Sequence, residues 1–304
     1  MRTFPAALRI TFWRPARGRF RTAKGVWLAP RNRRPRQEED ITMSRRRLHH
    51  STLWAAGLTL ALLAARPAVA ADVREEFHQT YPLKEGGRLS ISNVNGDVKI
   101  AGWERAEVQV DAVKTADSQE TMNELTIQVD ARPDYVRIET KYPRSEGVWG
   151  RHRHSNVEYT ISMPRGAHLD KASLVNGNLT IEKADGAVRA GTVNGRVSAS
   201  GLGGDVIVDT VNGRIEAGVR KLTAAQRVSL ESVNGEVRLV LPATAGARVR
   251  VETVNGSIRN DFGLQKTKGT FVGQELEGQI GSGGASIEIE TVNGNITISK
   301  EGTV

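Results

Sequence analysis

The sequence predicts an all-β protein wound as a β-solenoid, a parallel β-helix-like stack of coils about 18–22 residues long. Three observations carry this expectation. Val-Asn-Gly occurs seven times, with Asn at 95, 176, 194, 212, 234, 255 and 293, and the central spacings are 18, 18, 22 and 21 residues. The arms on either side of each tripeptide alternate apolar and polar with period two, as half-buried strands do. The composition, with 31 Gly and 5% aromatic residues, suits short strands and tight turns better than a helical core.

Numbering each unit from its Val as zero shows the register. Position −5 holds Val188, Val206, Val228, Val249 and Ile287, and position −3 holds Ala190, Val208, Leu230, Val251 and Ile289. Position −1 is Thr192, Thr210, Ser232, Thr253 and Thr291. Beyond the tripeptide, position +4 holds Leu179, Val197, Ile215, Val237, Ile258 and Ile296, and +6 holds Ile181, Ala199, Ala217, Leu239 and Ile298.

Asn-Gly supplies the turn, since both residues tolerate positive φ. The structural turn residues are therefore Asn95, Gly96, Asn176, Gly177, Asn194, Gly195, Asn212, Gly213, Asn234, Gly235, Asn255, Gly256, Asn293 and Gly294. Two architectures meet the local pattern. In stacked antiparallel hairpins or a sandwich, each Asn-Gly is a type I′ turn and its arms pair. In a solenoid it is a corner, and the arms belong to different sheets. The solenoid is preferred because so small a unit needs stacked neighbours to bury its face. A stack also places like residues over like, including an Asn column. The last gap, 38 residues, predicts one degenerate unit between Asn255 and Asn293.

The chain before the tight repeats is less regular. It carries one unit at 89–100, then strand-like runs at 106–114, 125–131, 135–141 and 157–163, with at most a helical turn at 116–124. Residues 143–156 are rich in Gly, Arg and His and are expected to protrude as a loop. The reading is one domain over 72–304, with 72–166 as an irregular cap and 167–304 as regular repeats, because a solenoid end needs capping against edge-to-edge association.

Residues 43–71 read as a signal peptide. Arg45, Arg46 and Arg47 precede an apolar block of 13 residues at 53–65, and Ala68-Val69-Ala70 forms a small-x-small cleavage site. A block that short falls below the roughly 20 residues that cross a bilayer. Residues 1–42 are Arg-rich and aperiodic, and Gln37-Glu38-Glu39-Asp40 can be encoded by a purine-rich ribosome-binding sequence just before Met43. The expectation is that translation starts at Met43 and that 1–42 is translated upstream DNA; a disordered basic extension is the other reading.

The leader also distorts the charge. The whole chain has 43 Lys/Arg against 34 Asp/Glu, yet residues 1–71 hold 15 of the basic and 3 of the acidic ones. The remainder carries a net charge of −3, so a nucleic-acid partner is not expected. With no Cys, disulfides, thiol nucleophiles and a lipidated Cys anchor are excluded.

With these residues in place, the chain resembles a family of bacterial envelope proteins labelled putative adhesins, a domain of unknown function. The likeness rests on Gly87-Arg88-Leu89-Ser90-Ile91, Val94-Asn95-Gly96-Asp97-Val98, Gly102-Trp103 with Glu107-Val108, and Ile161-Ser162-Met163-Pro164-Arg165-Gly166-Ala167. It extends to the serial Val-Asn-Gly units and to the closing Gly281-Ser282-Gly283-Gly284-Ala285, and covers essentially all of 75–300. The resemblance implies a right-handed solenoid and an exported or envelope location, in the periplasm or on the cell surface. It implies no catalytic residues.

Nor do the residues themselves assemble an active site. Arg151-His152-Arg153-His154 reads as a solvated basic loop, since the flanking Arg charges oppose a cation. There is no Gly-x-Ser-x-Gly elbow, no His-Glu-x-x-His helix and no phosphate loop. No catalytic, cofactor-binding or metal-binding residue is assigned, and no cofactor is expected.

One outward pattern stands apart. Position −2 is acidic in four units, Asp209, Glu231, Glu252 and Glu290, and in a stack these repeat about every 4.8 Å. Arg214, Arg238 and Arg259 are expected to neutralise the column near the corner; a cation-binding face is the sharper reading. The function expected is a non-catalytic, adhesin-like structural or binding module with an envelope protein or polymer as partner. The alternative is a solenoid enzyme on an envelope polysaccharide, which calls for grooved carboxylates and long walling loops that the short turns do not provide.

Overall fold

In the computed structural model, residues 72–143, 154–268 and 273–302 are described. The leader readings over 1–71, most of the 143–156 loop and His152 lie outside the described residues. The protein is all-β, with two long, mostly parallel sheets and β-solenoid-like repeats.

The first strands are β1 (Val73–Pro82), β2 (Arg88–Asn95), β3 (Val98–Trp103) and β4 (Glu107–Ala116). The single turn of helix expected near 116–124 is α1 (Gln119–Glu124), capped by Ser118, whose hydroxyl accepts from the Thr121 N–H. Then come β5 (Thr126–Arg132), β6 (Tyr135–Lys141) and β7 (Ser155–Pro164), close to the runs of alternation in the sequence. The repeats follow as strand pairs. Each pair joins one strand of the second sheet to one of the first through an Asn-Gly corner: β8 (His168–Asn176) and β9 (Leu179–Glu182), β10 (Val188–Asn194) and β11 (Val197–Leu202), β12 (Val206–Asn212) and β13 (Ile215–Val219), β14 (Arg227–Asn234) and β15 (Val237–Leu241), β16 (Ala247–Asn255) and β17 (Ile258–Asn260). The chain ends with β18 (Lys266–Lys268), β19 (Gln274–Ile280), β20 (Ala285–Asn293) and β21 (Ile296–Lys300).

The first sheet runs β1-β4-β7-β3-β9-β11-β13-β15-β21-β17 and the second β18-β19-β16-β20-β14-β12-β10-β8-β2-β6-β5. The arms of each unit lie in different sheets, and successive units pair in parallel with Asn over Asn, as Asn194 over Asn212 and Asn212 over Asn234. The antiparallel hairpin across Asn-Gly is thereby overturned. Antiparallel pairing is confined to the ends: β1 on β4, β4 on β7, β5 on β6, β16 on β19 and β18 on β19.

The core is the thin layer between the sheets. Val188, Val206, Val228, Ile287 and Val249 stack in one column, and Val197, Ile215, Val237, Ile296 and Ile258 in the facing sheet. All are buried. Each such side chain contributes about 1.5–3 kcal/mol relative to exposure. One coil cannot collect this, because its apolar face needs a coil above and below.

The degenerate unit expected between Asn255 and Asn293 is not there. Past β17 the chain forms β18 and then β19, which runs antiparallel along β16. It then crosses β16 and places β20 between β16 and β14, parallel to both. Likewise β21 lies between β15 and β17. The last coil in sequence is thus the second to last in space. The long gap holds an edge hairpin and a crossing, not a weakened copy of the repeat.

Candidate functional site

The repeat builds three columns along one corner of the stack. The first is an asparagine ladder. Asn176 donates its side-chain amide to Asn95 Oδ1 (2.9 Å), Asn194 to Asn176 (2.9 Å), Asn212 to Asn194 (3.1 Å) and Asn234 to Asn212 (3.0 Å). It continues with Asn293 to Asn234 (2.7 Å) and Asn255 to Asn293 (2.8 Å). All seven asparagines join one chain of amide hydrogen bonds. A primary amide both donates and accepts, so it can repeat itself along a stack.

The glycine beside each Asn is required by proximity. A Cβ on Gly213 would stand 1.8 Å from the Gly195 carbonyl oxygen, and one on Gly294 1.9 Å from that of Gly235. The tolerance of positive φ expected of both residues is used by the glycines of the first three units, Gly96, Gly177 and Gly195, and not by the asparagines. Among the described residues the non-glycine with positive φ is Lys183, so none of the seven asparagines adopts it. The residue is glycine because the neighbouring coil leaves no room for a side chain.

At position −1 the hydroxyls turn inward and tie coil to coil. Thr253 Oγ1 donates to the Gly294 carbonyl at 3.0 Å, and Thr192 and Thr291 donate to Gly177 and Gly235 at 3.3 Å. Thr210 Oγ1 is buried with no partner. In the first unit Asn93 takes this position, and its Nδ2 donates to the Val157 carbonyl at 2.9 Å. Tyr142 Oη donates to Asn93 Oδ1 at 2.7 Å, and burial pushes that phenol up to about 12. Tyr142 thus fastens the irregular first half to the start of the ladder.

The second column is the Val of each tripeptide, and it faces solvent. Val94, Val175, Val193, Val254 and Val292 are 38–46% exposed. The most recurrent apolar residue of the sequence therefore lies on the outer face. Val211 and Val233, between them, are half-buried, and the seven valines at about 4.8 Å per coil form a stripe about 29 Å long.

The third column runs beside it. Asp209, Glu231, Glu290 and Glu252 stand in that spatial order, each in register with the next, and Glu275 of β19 continues the row opposite Glu252. Burial, then the charges of Asp209 and Glu288, push the Glu231 carboxyl above its ordinary value. Burial raises Asp209, and burial followed by Glu252, Glu288 and Glu231 raises Glu290. The expected neutralisation by Arg214 is corrected. Arg214 stands at the corner just before β13 of the first sheet and pairs with Glu216 (3.4 Å) and Glu236 (3.1 Å). Arg238 and Arg259 are on strands of that sheet, because the corner turns the chain between −2 and +3. The cation that meets the column is Arg250, two residues before Glu252 on the same strand, at 2.6 Å.

The sequence reading missed Glu275 and Glu288. Glu288 was readable as the outward −4 residue of the last unit. Glu275 was not, because β19 belongs to no unit. The histidines stand apart: His78 pairs with Asp111, and His168 Nδ1 accepts from the Ala187 N–H. Among the described residues no group of three or more His, Asp or Glu is arranged to hold a metal ion. None of the described helices is long and apolar enough to cross a membrane.

Serial corners, a continuous polar ladder and like columns on an outer face define a protein of β-solenoid-like repeats with an extended linear surface. The Toastrack DUF4097 family matches residues 80–299, and the chain belongs to it. Comparison with curated proteins finds no match. Among solved structures, the chain is similar to a putative cell adhesion protein from Clostridium sporogenes, with 16% identity and a TM-score of 0.44 over 75% of this chain and 100% of that one. It is also similar to a putative adhesin from Bacteroides fragilis, with 15% identity and a TM-score of 0.38 over 74% and 97%. A putative adhesin from Parabacteroides merdae follows, at 9% identity and a TM-score of 0.30 over 74% and 96%.

Proposed function

We propose that the protein is an exported, non-catalytic, adhesin-like module of the cell envelope, which binds a protein or polymer along the outer face carrying the valine and acidic columns. The observation that carries this reading is the exposure of the recurrent Val, 38–46% across five units. A contiguous apolar stripe on a rigid scaffold marks a contact surface. Repetition of one contact per coil suits an extended partner, since weak contacts along a line add through effective concentration. The reading includes a right-handed solenoid of 18–22-residue coils, a cap over 72–166, a signal peptide over 43–71 and a translation start at Met43.

Binding to envelope fractions of the native host tests it. The full chain should bind, and a variant with Val193→Ser, Val254→Ser and Val292→Ser should lose most of that binding with its melting temperature unchanged. Equal binding by the two proteins would remove the outer face from the proposal. An N-terminal peptide from residues 1–42 in the host protein would remove the reading of that segment.

A further inference from the structure

The placement of the last coil has a specific consequence. β20 is flanked by β14 and β16, and both flank it in the same register. Ile287 faces Val228 on one side and Val249 on the other, Ile289 faces Leu230 and Val251, Thr291 faces Ser232 and Thr253, and Asn293 faces Asn234 and Asn255. In the other sheet, Ile296 faces Val237 and Ile258. Removing the coil leaves two edges that already match each other, residue for residue, in the consecutive order used from β8 to β14. The linker between β15 and β16, 242–246, is five residues long. It spans two coil steps here, yet the equally long 183–187 spans one between β9 and β10. A linker of five residues is therefore long enough for either span.

The crossing before β20 is rich in glycine. Gly281, Gly283 and Gly284 have φ of +54°, +76° and +119°, and glycine passes from such values to extended ones with little penalty. The crossing packs tightly over the β15–β16 linker, since a Cβ on Gly246 would stand 2.7 Å from the Gly283 carbonyl oxygen. Insertion also sets Glu290 between Glu231 and Glu252, so withdrawal relieves a row of like charges. Inside the slot the coil's Ile287, Ile289, Ile296 and Ile298 are buried, so a released coil needs another slot of the same shape.

We infer that residues 285–300 are an exchangeable coil, and that the slot between β14–β15 and β16–β17 accepts the same coil from a second copy of this chain. The contacts in the exchanged pair are those within one chain, so the exchange is governed by concentration and by the glycine crossing. This stands apart from the envelope-binding reading, and its test contains no envelope component.

The chain has no cysteine, so introduced thiols report cleanly. Arg227 and Ser286 are exposed and opposite one another across β14 and β20. Full chains carrying R227C alone and S286C alone are mixed, incubated just below the denaturant midpoint, returned to buffer and oxidised. The expected product is a disulfide-linked heterodimer whose linked peptides contain positions 227 and 286. An R189C chain mixed with S286C should give none, because β10 stands three coils from β20, about 14 Å away. The R227C/S286C double variant, oxidised before incubation, should remain monomeric. Failure of the first mixture to cross-link, or equal cross-linking by the R189C mixture, would overturn the inference.

Discussion

Asn255 donates its side-chain amide to Asn293 at 2.8 Å, and Asn293 donates to Asn234 at 2.7 Å, so the last Val-Asn-Gly of the sequence stands between the fifth and sixth. The ladder is continuous in space although the chain visits its rungs out of order.

A rung in the middle carries more than a rung at an end. Asn212→Ala removes a donor to Asn194 and an acceptor for Asn234. Its expected cost is about 1–2 kcal/mol, larger than for Asn255→Ala, which ends the chain of amides. Denaturant midpoints at unchanged slope measure the difference.

The glycine column predicts a sharp contrast. Gly213→Ala puts a methyl 1.8 Å from a backbone oxygen, whereas at Gly218 the nearest atoms lie at 3.8 Å. The first should cost more than about 3 kcal/mol or prevent folding, and the second should stay within roughly 1 kcal/mol. Thermal melts of the two variants decide it.

The inward hydroxyls are not equivalent. Thr210→Val removes a buried oxygen that has no partner, so it should be neutral or stabilising. Thr253→Val forfeits the 3.0 Å bond to Gly294 and should cost about 1 kcal/mol. A Thr210→Val loss as large as that of Thr253→Val would contradict this assignment.

The acidic column sets a pH dependence. The folded pKa values of Asp209, Glu231 and Glu290 are raised, so their protonated forms are favoured by folding. Their contribution is full below the ordinary carboxylate range and is lost as pH rises through the raised values. Asp117 and Glu139, held down by hydrogen bonds, act oppositely and lose their contribution as pH falls. The Glu231→Gln, Glu290→Gln variant should therefore melt higher than the parent at pH 7. It should also gain less on acidification toward pH 5. Melting curves across that interval check both, and a lower melting temperature at pH 7 would refute the column's repulsion.

Much of the fold is legible in the sequence because its information is local and repeated. Period-two alternation marks the arms of β10 to β15, and seven copies of Val-Asn-Gly mark where the chain turns. Stacking like on like follows from the need of Val188 or Ile215 for apolar neighbours above and below. The sequence by itself also determined the acidic residues at −2 and the absence of thiol chemistry.

Three things were decided only by tertiary structure. The order of the last two coils depends on whether β16 or β20 lies against β14, and both present the same register, so no local pattern distinguishes them. The partner of the acidic column depends on where the corner bends; it turns Arg214 toward Glu236 and leaves Arg250 beside Glu252. The role of the Val, recurrent yet outward, depends on which of two alternating sets faces the core, and its corner neighbour Asn breaks the alternation that would have shown it. In the first case the deciding contacts join residues distant in sequence, and in the other two it is where the chain bends relative to the core, which periodicity constrains but does not choose.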